Sequence, residues 1–146
     1  MTLLFLAHGD SAKSKSWEFR IGTLDKKHIS IQAPPNSNSL NYNYKGFVSF
    51  VLLAICDANY KFIWIDVGDY GSNNDGGIWA NSSFGQSLES GTADVPPPKL
   101  LPGTENRIPC ALVGDEAFPL KSYLMRPYPR KSLNDSRRIF NYRNIK

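Results

Sequence analysis

The chain has 146 residues, the size of one small domain, so a single domain is expected rather than a long multidomain enzyme. Hydrophobic residues make up 41% and charged residues 21%, which is enough apolar material for one core and argues against wholesale disorder. The formal net charge of +4 hides a split: residues 1–120 carry 9 Lys/Arg against 12 Asp/Glu, whereas residues 121–146 carry 8 against 1. An acidic body with a basic tail is the feature to explain.

Residues 1–20 show no clean period and include Ser11-Ala12-Lys13-Ser14-Lys15-Ser16, so they are expected to be a poorly ordered start. The run Leu3 to Ala7 is too short, and lacks the basic flank, for a signal peptide. Ile21 to Leu24 and His28 to Gln32 alternate as a strand, expected to break or bend around Asp25-Lys26-Lys27. Ala33 to Ser39 is a loop, because Pro34-Pro35 and the clustered Asn/Ser cannot continue a ladder.

Gly46 to Cys56 and Lys61 to Val67 are apolar runs separated by the turn residues Asp57-Ala58-Asn59-Tyr60, which predicts an antiparallel hairpin with both strands largely buried. Ile78, Phe84 and Leu88 share a helical face, with Asp75 placed to cap its start and Gly91 to end it. Pro96 to Pro109 reads as an extended excursion, partly polyproline II. Cys110 to Val113 is a short strand ending at Gly114-Asp115. Pro119 to Met125 predicts a short helix, and Leu133 to Tyr142 another.

Cys56 and Cys110 sit in apolar runs, which fits buried thiols in a reducing compartment better than a disulfide framework. No zinc-ligand spacing is present, and the longest apolar stretch, Phe47 to Cys56, is about half a membrane span. The reading is a soluble intracellular protein, nuclear or cytoplasmic, with no membrane partner.

Two histidines, His8 and His28, and no Gly-x-Ser-x-Gly leave a Ser-His-Asp hydrolase little to stand on. Neither a P-loop nor an EF-hand is present. What remains is carboxylates at strand ends: Asp25, Asp66 and Asp115. Acids that converge at one sheet edge repel one another unless a cation sits between them, and Mg²⁺ or Mn²⁺, which prefer oxygen ligands, suit that arrangement and promote phosphodiester cleavage. Each such aspartate taken alone is more often a turn or cap residue than a ligand.

Several ordered blocks carry a family resemblance. Ile21-Gly22-Thr23-Leu24-Asp25-Lys26-Lys27-His28-Ile29 with Gln32 to Ser37 resembles the first catalytic block of the PIF/Harbinger-type DDE transposases and the nucleases derived from them. Tyr44-Lys45-Gly46-Phe47, Asp57 to Phe62, Asp66-Val67-Gly68 with Asp75 to Ile78, Val113 to Leu120, Leu124 to Tyr128 and Phe140 to Arg143 are similar to family blocks in the same order. The resemblance spans residues 21 to 143.

It implies an α/β fold, an RNase H-like mixed sheet flanked by helices and incomplete at the C-terminus, with residues 21–146 as a partial DDE nuclease domain. It implies Asp25 as the first metal-binding catalytic acid and Asp115 as the second, a divalent metal (Mg or Mn) as cofactor, and DNA as partner, with a separate DNA-binding protein as a further partner. Two departures stand out. Lys26 replaces a glycine usual in the family, so it is expected to distort the turn at Asp25 or to place a cation beside it. No glutamate follows Glu116, so the third acid of the family is missing from these residues and little or no cleavage is expected from the chain alone. The alternative is a non-catalytic transposase remnant that binds nucleic acid or protein.

Other residues have two readings each. Asp66 is a surrogate ligand or a structural acid, Asp75 a rim residue or helix cap, and His28 a phosphate contact or a hydrogen-bonded strand histidine. Tyr42 and Tyr44 can stack bases, as can Trp64 and Trp79, although burial is the stronger expectation for both tryptophans. Arg126, Arg130, Lys131, Arg137, Arg138 and Arg143 either line a phosphate-binding groove or decorate a solvated end.

Overall fold

The computed structural model describes residues 20–36, 39–100 and 103–144. The expectation of a poorly ordered start falls on residues 1–19, outside the described residues; Arg20 already belongs to a strand. Strand β1 (Arg20–Ser30) is followed by β2 (Ser49–Cys56), β3 (Phe62–Tyr70), helices α1 (Asp75–Asn81) and α2 (Ser83–Glu89), and short strands β4 (Lys99–Leu100), β5 (Arg107–Ile108), β6 (Ala111–Val113) and β7 (Leu124–Met125). A 3₁₀ turn (Arg130–Ser132) and helix α3 (Asp135–Asn144) follow.

Five strands form one mixed sheet in the order β3-β2-β1-β6-β7, antiparallel between β2 and β3 and parallel between β1, β6 and β7. This α/β arrangement is consistent with an RNase H-like core. Contacts divide the described residues into a central unit, within Leu24–Ala93, and a second unit that combines residues 20–23 with those from Asp94 on; β1 belongs to both.

The central unit is built on a hairpin whose turn is fixed by Asp57. Its Oδ1 accepts from the amides of Asn59 (2.8 Å) and Lys61 (2.9 Å), and these bonds hold its carboxyl below the usual range. β2 is the buried strand, with Val51, Leu53 and Ile55 at 1% exposure or less. β3 departs from the expectation of burial: Ile63, Ile65 and Val67 are about half exposed. These alternate residues share one face of the strand, and that face is left to solvent, whereas Trp64 and Asp66 on the other are half-buried; β3 is also an edge strand of the sheet. Two register shifts leave Ile63 and Gly68 as extra residues in β3, and such bulges raise twist and discourage pairing along an open edge. One face of the hairpin is capped by an aromatic cluster in which Trp64, Trp79 and Phe84 lie within 6.4 Å of one another, centroid to centroid. Trp79 is buried as expected, whereas Trp64 remains half-buried.

Two details of the helical region differ from the sequence reading. The N-cap is Asn74, whose Oδ1 accepts from the Gly77 amide at 2.7 Å, so Asp75 is the first helical residue. The expected single helix is two, because buried Ser82 breaks it: its hydroxyl donates to the Trp79 carbonyl (2.8 Å) and accepts from the Gly85 amide (3.1 Å), competing with the helical ladder. Gly91 ends α2 with φ +71°, a conformation that costs other residues more.

In the second unit, β6 is fully buried, and Leu112, Phe118 and Leu124 have no exposed surface. The helix expected over Pro119 to Met125 is absent. Lys121 and Leu124 close a tight turn, and Leu124–Met125 joins the sheet as β7, opposite Leu112 and Val113. Burial of Leu124 against β6 outweighs local helix propensity. The extended excursion over 96–109 contains a short ribbon, with Lys99 opposite Ile108 and Leu100 opposite Arg107.

The basic tail is structured through Asn144. Asn134 accepts from the Arg137 amide and caps α3, Phe140 is buried against Tyr128, and Asn141 binds the Tyr128 backbone from both ends of its amide (2.7 and 2.8 Å). The Arg137 guanidinium stands 4.9 Å from the Tyr128 ring centroid. Of the two cysteines, Cys110 is buried and Cys56 only half-buried.

Candidate active site

Asp25 lies inside β1, not in a break. The strand's alternation continues through it: Gly22 and Leu24 are buried, Lys26 and His28 half-buried, and Thr23, Asp25 and Lys27 exposed. A lysine is tolerated at the inward position because its ammonium meets a partner, the Asp75 carboxylate at the start of α1; the two side chains are 8% and 20% exposed. This overturns the expected distortion. Lys26 does not take a positive φ, and its charge is directed to Asp75. Asp25 Oδ1 accepts from the Lys26 amide at 2.8 Å, and the carboxylate is solvent-facing.

His28, on the same side of β1 as Lys26, is a hydrogen-bonded strand histidine. Its Nδ1 lies 3.0 Å from Ser49 Oγ, which also accepts from Asn43 Nδ2 at 2.8 Å. Its Nε2 is buried without a hydrogen-bond partner. Burial, then Lys26 and more weakly Lys45, push its proton affinity below the ordinary histidine value, against an opposing pull from Asp75.

Asp115 belongs to the second unit and is exposed on the turn directly after β6. Its Oδ1 accepts from the Ala117 amide at 2.9 Å. Arg126 closes the turn: one guanidinium nitrogen donates to the carbonyls of Glu116 (3.3 Å) and Phe118 (3.1 Å). By composition this arginine was a candidate for DNA phosphate, and the structure gives it carbonyls to hold. Gly114 is required for a different reason. A Cβ there would lie 2.9 Å from the buried Phe118 ring, so a side chain cannot enter without displacing that ring. Gly114-Asp115 is therefore a packing constraint followed by a functional candidate.

Asp66 sits half-buried in β3 opposite Leu53. Asp75 is held by Lys26. Among the described residues there is no group of three or more His, Cys, Asp or Glu able to hold a metal ion. The donor chemistry of Asp25 and Asp115 nevertheless fits a hard cation: each is an exposed carboxylate with one oxygen on a backbone amide, and Mg²⁺ is commonly held by one or two carboxylates plus water and phosphate. The Lys26–Asp75 pair and the Arg126 clamp are not legible in the sequence. The only trace of the first is a lysine where the family has glycine, and the second leaves none.

A mixed sheet in this order is consistent with an RNase H-like core. The chain belongs to the DDE superfamily endonuclease family, whose model matches residues 24–145. It is similar to a "Protein ALP1-like" of Arabidopsis thaliana, 30% identical over 84% of this chain and 30% of that protein. It is also similar to the "Putative nuclease HARBI1" of Mus musculus, 32% identical over 75% of this chain and 27% of that protein, and to its Bos taurus counterpart, 30% identical over 73% and 27%. The chain thus spans less than a third of the length of these curated relatives. No solved structure matches it. No described helix is long and apolar enough to cross a membrane.

Proposed function

We propose that this is a DNA-acting, metal-dependent nuclease-derived domain in which Asp25 and Asp115 are the two acidic ligands present. The observation that carries the reading is the family match over residues 24–145, which takes in both acids. When bound, Mg²⁺ or Mn²⁺ would neutralise phosphate charge and lower the pKa of a bound water. The chain's own residues do the rest. Arg126 and the Ala117 amide hold the turn that presents Asp115, and Lys26, paired with Asp75, keeps its own charge away from Asp25. The exposed tail cations Arg130, Lys131 and Arg138 attract the DNA backbone, and selection of a target sequence is left to a separate DNA-binding protein.

These 146 residues hold no glutamate beyond Glu116, so the polypeptide by itself is proposed to be a weak nuclease. The absence of a three-acid cluster among the described residues favours one other reading, a non-catalytic DNA- or protein-binding module. Plasmid nicking in Mg²⁺ and Mn²⁺ separates the two. Slow nicking by the wild type that is abolished in Asp115→Asn supports the nuclease reading; nicking that Asp115→Asn leaves unchanged, or none at all with undiminished DNA binding, overturns it for this polypeptide.

A further inference from the structure

The segment before β2 alternates in an unusual way. Asn41 and Asn43 are buried at 8% and 3% exposure, whereas Tyr42 and Tyr44 between and after them are 53% and 81% exposed. The buried residues hold the frame. The Asn41 carbonyl accepts from the Ser49 amide at 2.7 Å, and the Asn43 amide donates to the Phe47 carbonyl at 3.0 Å. Asn43 Oδ1 accepts from the Lys45 amide at 2.9 Å, and its Nδ2 donates to the fully buried Ser49 hydroxyl, which also meets His28. The exposed tyrosines therefore stand on a fixed backbone.

Tyr44 is oriented as well. The His28 ring meets it at 72° with centroids 5.9 Å apart, and Lys45 Nζ lies 5.6 Å from its centroid. A large planar ring on a rigid loop loses little conformational freedom on binding, since only two torsions need ordering. The ammonium lies over one face of the ring, so a base stacks by displacing it from that face or by taking the other, and the displaced cation is then at hand for the phosphate the base carries. In a duplex the base faces are already stacked, so the ligand this surface fits is unpaired.

We propose that the Tyr42–Lys45 loop is a docking platform for unpaired DNA, with Tyr44 stacking on a base and Lys45 contacting its phosphate; this rests on the reading that the domain acts on DNA. The test is fluorescence anisotropy of the full 146-residue chain in EDTA with a labelled oligothymidylate and with a hairpin duplex. Tyr44→Ala should weaken single-strand binding about tenfold, within the range typical of losing one base–aromatic stack, and leave duplex binding unchanged. Tyr44→Trp should keep the affinity and add a tryptophan signal quenched by the oligonucleotide. Lys45→Ala should flatten the salt dependence of log K by about 0.7. Single-strand affinity equal in wild type, Tyr44→Ala and Tyr44→Trp overturns the proposal, as does a wild type that binds no single strand; a loop that docks a protein segment instead gives the first of these results. Because metal is absent, the outcome is independent of cleavage: Tyr44-dependent binding without any nicking defeats the nuclease reading alone.

Discussion

The two candidate acids are carried in opposite ways. Asp25 lies within an eleven-residue strand, and its outward direction follows from alternation, anchored by an inward lysine that has found a carboxylate. Asp115 stands on a turn after a three-residue strand, and nothing in its local periodicity fixes it. Its position depends on a glycine that admits the Phe118 ring, an amide two residues on, and an arginine further along the chain that closes the turn. An acid on a long strand is positioned by pattern; an acid on a turn is positioned by packing.

The contrast can be broken from either side. The largest effect is expected at Asp75. Asp75→Ala leaves the Lys26 ammonium mostly buried without its partner and should lower unfolding free energy by about 3 kcal/mol in urea titrations. Removing both charges, as in Lys26→Met with Asp75→Asn, should recover most of that loss. A double variant no more stable than Asp75→Ala would show that the acid matters for α1 rather than for the lysine.

On the Asp115 side, Gly114→Ala should cost about 2 kcal/mol, because its Cβ falls within 2.9 Å of a ring with no room to move. A thermal melt unchanged by the substitution would mean that the turn adapts freely and that its geometry is not set by packing.

The smallest effect returns to β1. Burial keeps His28 neutral in the folded state below the pH at which an unfolded histidine, with a value of about 6.5, takes up a proton. The unfolded chain therefore binds more protons between those two values, so this contribution is complete above about pH 6.5 and is lost as pH falls through the lower, folded value. Urea midpoints measured from pH 7.5 to 5 should decline, and His28→Phe should flatten the part of the decline that belongs to this group. An identical decline in the variant would assign it to other residues.

Much of the central unit is legible in the sequence. The Asp57 to Tyr60 turn and the apolar run of β2 are local signals, and each corresponds to the expected element, as does the alternation from Ile21 that leads into this unit along β1. The failures have named causes. Asp25-Lys26-Lys27 resembles an interruption because three consecutive charges suggest solvent, and only the Asp75 partner makes the middle one an inward residue. β3 reads as buried because Phe62 to Val67 is apolar, but burial is decided face by face, and the face bearing Ile63, Ile65 and Val67 is left to solvent. Pro119 to Met125 reads as helical because a two-residue strand has no periodicity to detect.

The sequence by itself determined the family, located β1, the β2–β3 hairpin and β6, and singled out the candidate acids, since ordered blocks and hydrophobic periods are properties of the chain. Tertiary structure alone decided what surrounds those acids. Lys26 is turned to Asp75, Arg126 to two carbonyls and Tyr44 to open solvent, and each of these depends on residues distant in the chain meeting in space. The acidic body and basic tail are altered by the same contacts: one body lysine is neutralised inside, and two tail arginines, Arg126 and Arg137, hold the fold as well as carrying charge.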